Sequence, residues 1–206
     1  MKVNFLLPLT FLLFPIFLLG QQKKNQDTHY YNIKRTSESI KIDGELNEAI
    51  WQELEVASDF WYSFPFDDKM VEDEFRTEVK VTYDDRFIYI GAVCHGKGPF
   101  VIPSLKRENS QFWDGDAFSV VFDPVNEKTN GFAFATNPSG VQFETQISGN
   151  TGTRSNPSST GFNRAWDNKW IVNSTMYSDR WVTEIAIPFK TLKYGDKTQW
   201  GINFIR

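Results

Sequence analysis

The sequence has few of the side chains on which most enzyme classes depend, with one cysteine and two histidines in 206 residues. Cys94 alone cannot form an intramolecular disulfide, and its apolar surroundings, IYIGAVCHG, favour a buried thiol over a catalytic one. His29 and His95 lie outside any recognisable catalytic setting, and the sequence holds no Walker loop, G-x-S-x-G motif or dinucleotide-binding glycine motif. These absences argue against nucleophilic and nucleotide-dependent catalysis.

The chain also lacks an excess of basic residues, since its 22 lysines and arginines are outnumbered by 26 aspartates and glutamates, which gives a net charge of -4. This balance argues against binding of a phosphate backbone, so we predict no nucleic-acid partner. Aromatic residues are abundant instead, at 16% of the chain with seven tryptophans. Such a composition suits both a β-sheet protein and an aromatic platform for a ligand.

The first 20 residues are predicted to be a signal peptide. Lys2 precedes an apolar run over residues 3–19, and Gly20 is followed by a polar break at Gln21. An uncleaved membrane anchor is the alternative, since about 17 apolar residues is the lower limit for a membrane span. We expect cleavage near Gly20 and Gln21, and a chain exported to the periplasm, the outer membrane or the extracellular space. Residues 21–37 are polar and aperiodic, which predicts a flexible arm.

Residues 38–206 are predicted to form one all-β domain. Short runs that alternate apolar and polar residues recur at regular spacing, for example TEVKVTYD, FIYIGAVCH, FSVVFDP and RWVTEIAIP. Helical spacing is confined to residues 45–54 and to one turn at 188–192. The pattern predicts an antiparallel β-sandwich, immunoglobulin-like or jelly-roll-like, with one or two short helices.

Two long loops form the candidate binding surface. The segment HGKGPFVIPSLKRENSQFWDGD and the longer segment SGNTGTRSNPSSTGFNRAWDNKW each combine tryptophan with arginine, and long loops in compact domains are often functional. A tryptophan ring can stack on the apolar face of a sugar while polar side chains bind its hydroxyl rim. The predicted carbohydrate contacts are therefore Arg107, Asn109, Trp113, Arg164 and Trp166.

Carboxylates supply two further candidates, a metal site and a catalytic pair. Asp114 and Asp116 place two hard oxygen ligands close together, as calcium prefers. The alternative is a turn at Asp114 that Asp116 caps. A glycosidase needs two carboxylates held about 5–10 Å apart, and the sequence selects no pair among its candidates, which are Asp114, Asp116, Asp123, Glu144 and Glu184. We therefore predict a binding protein and not an enzyme.

An ordered set of segments resembles the family 9 carbohydrate-binding module. The segments are IKIDGELNEAIWQ, TEVKVTYDDRFIYIGAVCHG, FWDGDAFSVVFDP, RWVTEIAIPFKTL and WGINFIR, and they cover about residues 38–206. The resemblance implies a sugar-binding β-sandwich that often carries calcium and is commonly attached to xylanases and other glycoside hydrolases. Together with the predicted signal peptide, the resemblance implies an exported module that is accessory to polysaccharide breakdown and binds a polysaccharide or oligosaccharide. No cofactor is expected to be required, and calcium is the one optional ion.

The sequence is similar, more closely still, to the N-terminal module of large exported Bacteroidetes-type proteins. In those proteins a C-terminal β domain of unknown function follows the carbohydrate-binding-like domain. This likeness implies that the chain is a fragment, or a truncated relative, that lacks the second domain.

The resemblance also bears on individual residues. Members of the family clamp a terminal sugar between two tryptophan rings, and Trp113 matches one of them, while the second match stays open between Trp166 and Phe189. Two other functions stay open beside sugar binding, namely a non-catalytic structural adaptor of the cell envelope and a haem-binding sandwich. The candidate axial ligands for haem are Met70, His95 and Met176.

Overall fold

The computed structural model describes residues 29–63, 69–107, 109–149 and 161–206. The predicted signal peptide and the first part of the predicted arm lie outside these ranges. The described strands are β1 (Lys34–Arg35), β2 (Thr77–Tyr83), β3 (Phe87–His95), β4 (Phe118–Asp123), β5 (Gly131–Thr136), β6 (Gln142–Ile147), β7 (Phe162–Asn163), β8 (Ile171–Met176), β9 (Arg180–Pro188) and β10 (Gly201–Ile205). One helix, α1, covers Ile50–Glu53, and 3-10 turns cover Asp73–Phe75, Phe112–Asp114 and Phe189–Thr191.

The strands form two five-stranded sheets. The first sheet has the order β1-β2-β3-β9-β8, and the second has the order β10-β4-β5-β6-β7. All described neighbours pair antiparallel except β1, which lies within the predicted arm and pairs parallel with β2. The predicted all-β sandwich with few short helices is therefore confirmed.

The main core joins the inner faces of the two sheets. Alternate residues of β3 and β9, such as Ile90 and Ile185, pack in one cluster with alternate residues of β4 and β5, such as Phe122 and Phe134. Cys94 lies in this core with no exposed surface, and its burial raises the pKa of the thiol to about 12. A thiol that stays protonated at neutral pH is unreactive, as the sequence predicts.

Residues 38–54, which we call the N-terminal strap, cover the outer face of the first sheet. Leu46 lies over Gly91 of β3, where a Cβ atom would come within 2.5 Å of the Leu46 Cδ2 atom. Trp51 of α1 is fully buried beside it. The helix is four residues long, where the sequence predicts residues 45–54. In the described part of the chain, no helix has the length and apolar character needed to cross a membrane.

Candidate functional site

A short turn in the first long loop, residues 96–117, presents Trp113. The side-chain Oδ1 of Asn109 accepts a hydrogen bond from the Gln111 N–H at 2.8 Å, and the Asn109 carbonyl accepts one from the Phe112 N–H at 3.1 Å. The 3-10 turn Phe112–Asp114 follows directly. Asn109 is a predicted sugar contact, and the structure uses its side-chain oxygen to fold the turn that carries Trp113.

Trp113 packs on two phenylalanine rings, which we call the aromatic base. Phe112 is buried and stacks on Phe143 of β6, with ring centroids 5.1 Å apart. The Trp113 indole meets these rings nearly edge to face, with its centroid 5.2 Å from Phe112 and 5.7 Å from Phe143. Trp113 is nevertheless 45% exposed. An indole that is both exposed and held on a fixed base offers an apolar surface to a ligand.

Arg164 reaches the same aromatic base from the second long loop, residues 148–170. Its guanidinium carbon lies 6.0 Å from the centroid of the Phe143 ring, which is within the range of a cation–π contact. The structure thus brings together two predicted site residues, Trp113 and Arg164, around Phe143. Phe143 itself is absent from the sequence prediction, because an apolar residue in a strand is ordinarily assigned to the core. In the alternating segment VQFETQIS, Phe143 points to the face of the sheet opposite to that of Glu144. This alternation is the feature of the sequence that separates Phe143 from the core face.

Trp166 lies apart from this group. Its ring packs against Phe132 at 5.1 Å and Phe134 at 5.7 Å, which belong to the core between the sheets. Phe134 pairs with Glu144, so these rings lie on the face of the second sheet opposite Phe143. Phe189, the other match for a second clamping ring, packs instead against Tyr83, Tyr194 and Trp200. The described residues therefore bring neither candidate together with Trp113.

Arg107 joins strand β6 to the second long loop. Its Nη2 atom contacts the carboxylate of Glu144, which has no exposed surface, the Asp167 carboxylate at 2.8 Å and the Asn168 carbonyl oxygen at 3.1 Å. Glu144 also accepts hydrogen bonds from the Asn168 N–H at 3.2 Å and the Trp170 indole N–H at 3.1 Å. Arg107 is a predicted sugar contact, and these interactions show that it binds protein groups from two separate parts of the chain.

The predicted calcium ligands, Asp114 and Asp116, differ in their surroundings. Asp114 is exposed at the end of its 3-10 turn. Asp116 accepts a hydrogen bond from the Val101 N–H at 2.7 Å, and its other oxygen lies 3.5 Å from the Arg206 guanidinium. No group of three or more His, Cys, Asp or Glu side chains suited to a metal ion occurs among the described residues. A carboxylate already bound to a backbone donor and a cation does not fit a calcium ligand, and calcium at this pair stays a prediction.

The buried carboxylates are occupied by the protein's own donors. Glu184 lies in the first sheet and Glu144 in the second, and both are fully buried. Glu184 accepts hydrogen bonds from the Asp43 and Gly44 N–H groups of the N-terminal strap, at 2.9 and 3.0 Å, and from the Trp51 indole at 3.1 Å. Neither residue can serve as one half of an exposed catalytic pair.

Two of the three candidate haem ligands, His95 and Met176, do not converge. His95 and Met176 lie in the first sheet, where His95 pairs with Arg180 and Met176 pairs with Trp181. Successive residues of β9 face opposite sides of a sheet, so the two candidate ligands are on opposite faces. His95 also lies 3.2 Å from the Glu78 carboxylate. The strand register therefore gives no support to a haem held between them.

The chain is similar in sequence to a known family of domains. The sequence model of a family described as carbohydrate family 9 binding domain-like matches residues 42–205. No curated protein sequence matches the chain.

Three solved structures share the fold. A family 9 carbohydrate-binding module from Caldicellulosiruptor kristjanssonii in complex with glucose has a TM-score of 0.52 at 18% identity, covering 84% of this chain and 75% of that one. The same source gives a complex with cellotriose, with a TM-score of 0.50 at 18% identity over 84% and 74% of the two chains. A protein from Bacteroides uniformis has a TM-score of 0.59 at 12% identity over 84% and 80%.

Proposed function

Because the chain belongs to the carbohydrate family 9 binding domain-like family, we propose that it binds saccharides on the surface around Trp113. The observation that carries this proposal is the exposed Trp113 indole on its aromatic base, with the Arg164 guanidinium beside the same base. The complexes of two structural neighbours with glucose and cellotriose support the choice of ligand class. We therefore take glucose and short β-linked glucans as the first ligands to test.

Binding on this surface would combine stacking with hydrogen bonding. The indole of Trp113 packs against the apolar C–H face of a pyranose ring, which removes that face from water. The exposed polar side chains nearby, Arg164 and Asp114, supply donors and acceptors for the hydroxyl groups at the rim of the ring. Since the aromatic base fixes the indole before the ligand arrives, little side-chain freedom is lost on binding.

The module acts without chemistry of its own in this proposal. Glu144 and Glu184 are buried and bound by internal donors, and Asp123 accepts a hydrogen bond from the Lys128 N–H at 2.6 Å. We propose that residues 1–20 act as a signal peptide that directs export of the module. We propose further that the module acts beside glycoside hydrolases that break down polysaccharides. N-terminal sequencing of the secreted protein tests the export step, and a first residue other than one near Gln21 would contradict it.

The experiment that tests sugar binding is calorimetric titration of the purified chain with cellotriose. We expect Trp113→Ala to weaken binding by about tenfold or more, since loss of one stacked ring costs about 1.4 kcal/mol or more. Tyr194→Ala is the matched control, because Tyr194 is also an exposed aromatic residue, at 53%, but packs in the Phe189 and Trp200 group. Equal affinity of the Trp113 variant and the parent would show that the binding surface lies elsewhere. A parent chain that binds no saccharide would favour the structural adaptor.

A further inference from the structure

The contacts of Arg107 assign it a role other than sugar contact. We infer that Arg107 is a positioning residue, which holds Trp113 in place by fastening both long loops to the buried carboxylate of Glu144. This inference rests on the proposed function, since the role of Trp113 in binding comes from there.

The Nη2 atom of Arg107 is fully engaged by protein acceptors. Nη2 of Arg107 carries two hydrogens, and three acceptors share them, namely the Glu144 carboxylate, the Asp167 carboxylate and the Asn168 carbonyl. That nitrogen therefore has no hydrogen left for a sugar hydroxyl.

The buried carboxylate of Glu144 depends on the positive charge of Arg107. A carboxylate without exposed surface is stable only when hydrogen-bonded donors and positive charge replace its water. Arg107 provides that charge, and the Asn168 N–H and Trp170 indole provide further donors. Removing Arg107 leaves the buried Glu144 carboxylate without its charged partner, whereas removing the Glu144 charge leaves Arg107 with only the exposed Asp167 as a described carboxylate partner. The two residues therefore act as a unit in fixing the guanidinium to β6.

Strand β6 connects this unit to Trp113. Phe143 and Glu144 are consecutive in β6 and lie on opposite faces of the second sheet, so Phe143 carries the aromatic base on one face and Glu144 holds Arg107 on the other. Arg107 lies in the same loop as Trp113, two residues before the Asn109 that begins its turn. Asp167 and Asn168 lie in the loop that carries Arg164. One guanidinium thus ties both halves of the proposed site to one strand.

The test compares substitutions at two residues, one that a ligand can reach and one that it cannot. Arg107→Ala removes a residue that a sugar could reach, whereas Glu144→Gln removes a charge that no sugar can touch, because Glu144 is fully buried. If Arg107 acts by positioning, both variants weaken cellotriose binding by about tenfold, and the double variant is no weaker than either single one. If Arg107 contacts the sugar, Glu144→Gln keeps its affinity and only Arg107→Ala loses it, which overturns the inference.

A second readout does not depend on the ligand. The amides of Phe112 and Asp114 donate to the Asn109 and Gln111 carbonyls and report on the turn that carries Trp113. We expect hydrogen exchange at these two amides to accelerate about tenfold in Arg107→Ala and Glu144→Gln, because the turn opens locally more often. Unchanged exchange at both amides would overturn the inference. A parent chain that binds no cellotriose would refute the proposed function, while this measurement still decides the role of Arg107.

Two further variants serve as controls. Glu184→Gln alters a buried carboxylate that also accepts an indole and two backbone N–H groups, but in the other sheet and far from Trp113 in the fold. We expect its affinity for cellotriose to stay within about twofold of the parent. Arg107→Lys retains charge and a long stem, yet a lysine ammonium does not reproduce the planar fork of arginine. Arg107→Lys takes the place of the alanine variant if that variant fails to fold. Full affinity for cellotriose in Arg107→Lys would contradict the bridging role.

Discussion

The carboxyl group of Glu184 is buried, and backbone donors beside it favour its ionised form. Burial is the largest influence and raises its pKa, while the hydrogen bonds from the Asp43 and Gly44 N–H groups lower it. The negative charges of Glu48 and Asp43 raise it again. The outcome is a pKa of about 7, against 4.5 for an ordinary glutamate. Loss of water outweighs two backbone hydrogen bonds, so this carboxyl retains its proton in mildly acidic solution.

The raised pKa of Glu184 predicts how stability depends on pH. The folded chain holds this proton up to about pH 7, and the unfolded chain loses it near pH 4.5, so the contribution of Glu184 favours folding at low pH. That contribution declines as the pH rises from about 4.5 to 7, by up to about 3 kcal/mol. Glu184→Gln cannot lose a proton, so its free energy of unfolding relative to the parent should rise by that amount across the window. Denaturant unfolding at pH 5 and pH 8 measures this, and a constant difference between the two chains would refute it.

The N-terminal strap packs closely over a glycine of the first sheet. At Gly91 of β3, a Cβ atom would come within 2.5 Å of Leu46 Cδ2 and 3.2 Å of Trp51 Cζ3. We expect Gly91→Ala to push Leu46 from its place and to destabilise the fold by about 1–3 kcal/mol, as overpacked cores are. Denaturant unfolding measures this loss. Gly195→Ala is the matched control, because nothing lies within 4 Å of the Cβ position there. Equal stability of the Gly91 variant and the parent would show that the strap adapts without cost.

The elements differ in how far local sequence determines them. Alternation predicts β2, β3, β4 and β9 because alternate residues of each strand, most of them apolar, face the main core between the sheets. Helical spacing predicts residues 45–54, but the helix begins only at Ile50. The chain before it binds Glu184, which is 140 residues from Gly44 in sequence. A local pattern cannot reveal such a distant partner.

The candidate site shows the same division between local and distant information. Composition identifies Trp113 and Arg164 as loop residues suited to a ligand, and the structure brings both to Phe143. Trp166 has the same loop composition, yet its ring belongs to the core cluster beside Phe134. The second long loop carries both Arg164 and Trp166, yet the two side chains reach opposite faces of the second sheet. That placement depends on tertiary packing and not on the residues of the loop.

Across the whole molecule, two irregular segments are attached to the two sheets in a similar way. In each sheet one fully buried glutamate accepts hydrogen bonds from a tryptophan indole and from backbone N–H groups of the attached segment. Glu184 holds the N-terminal strap to the first sheet, and Glu144 holds the second long loop to the second. Only Glu144 adds an arginine from another loop, Arg107. The sandwich therefore supplies rigid faces, and the buried carboxylates fix the segments that cover them.

Arg206 links the ends of the two sheets. Its Nη1 atom donates to the His95 carbonyl at 2.6 Å and the Phe75 carbonyl at 3.2 Å, beside the first sheet. Its Nη2 atom lies 3.5 Å from the carboxylate of Asp116, just before β4 of the second sheet. The side chain is only 15% exposed, so water cannot easily replace these contacts. A charged donor in such a position stabilises the fold more than a surface ion pair does.

Arg206→Ala should therefore lower the free energy of unfolding by about 2 kcal/mol, because two carbonyls and one carboxylate lose a charged partner. Denaturant unfolding at fixed pH measures this change. Arg35→Ala is the matched control, since Arg35 is half exposed and pairs with the exposed Asp85, and its loss should matter much less. Because Arg206 holds Asp116 and not the turn of Trp113, affinity for cellotriose in the folded Arg206 variant should stay near that of the parent. A large loss of affinity without loss of stability would mean that the contact of Arg206 with Asp116 also positions the turn of Trp113, which contradicts this expectation.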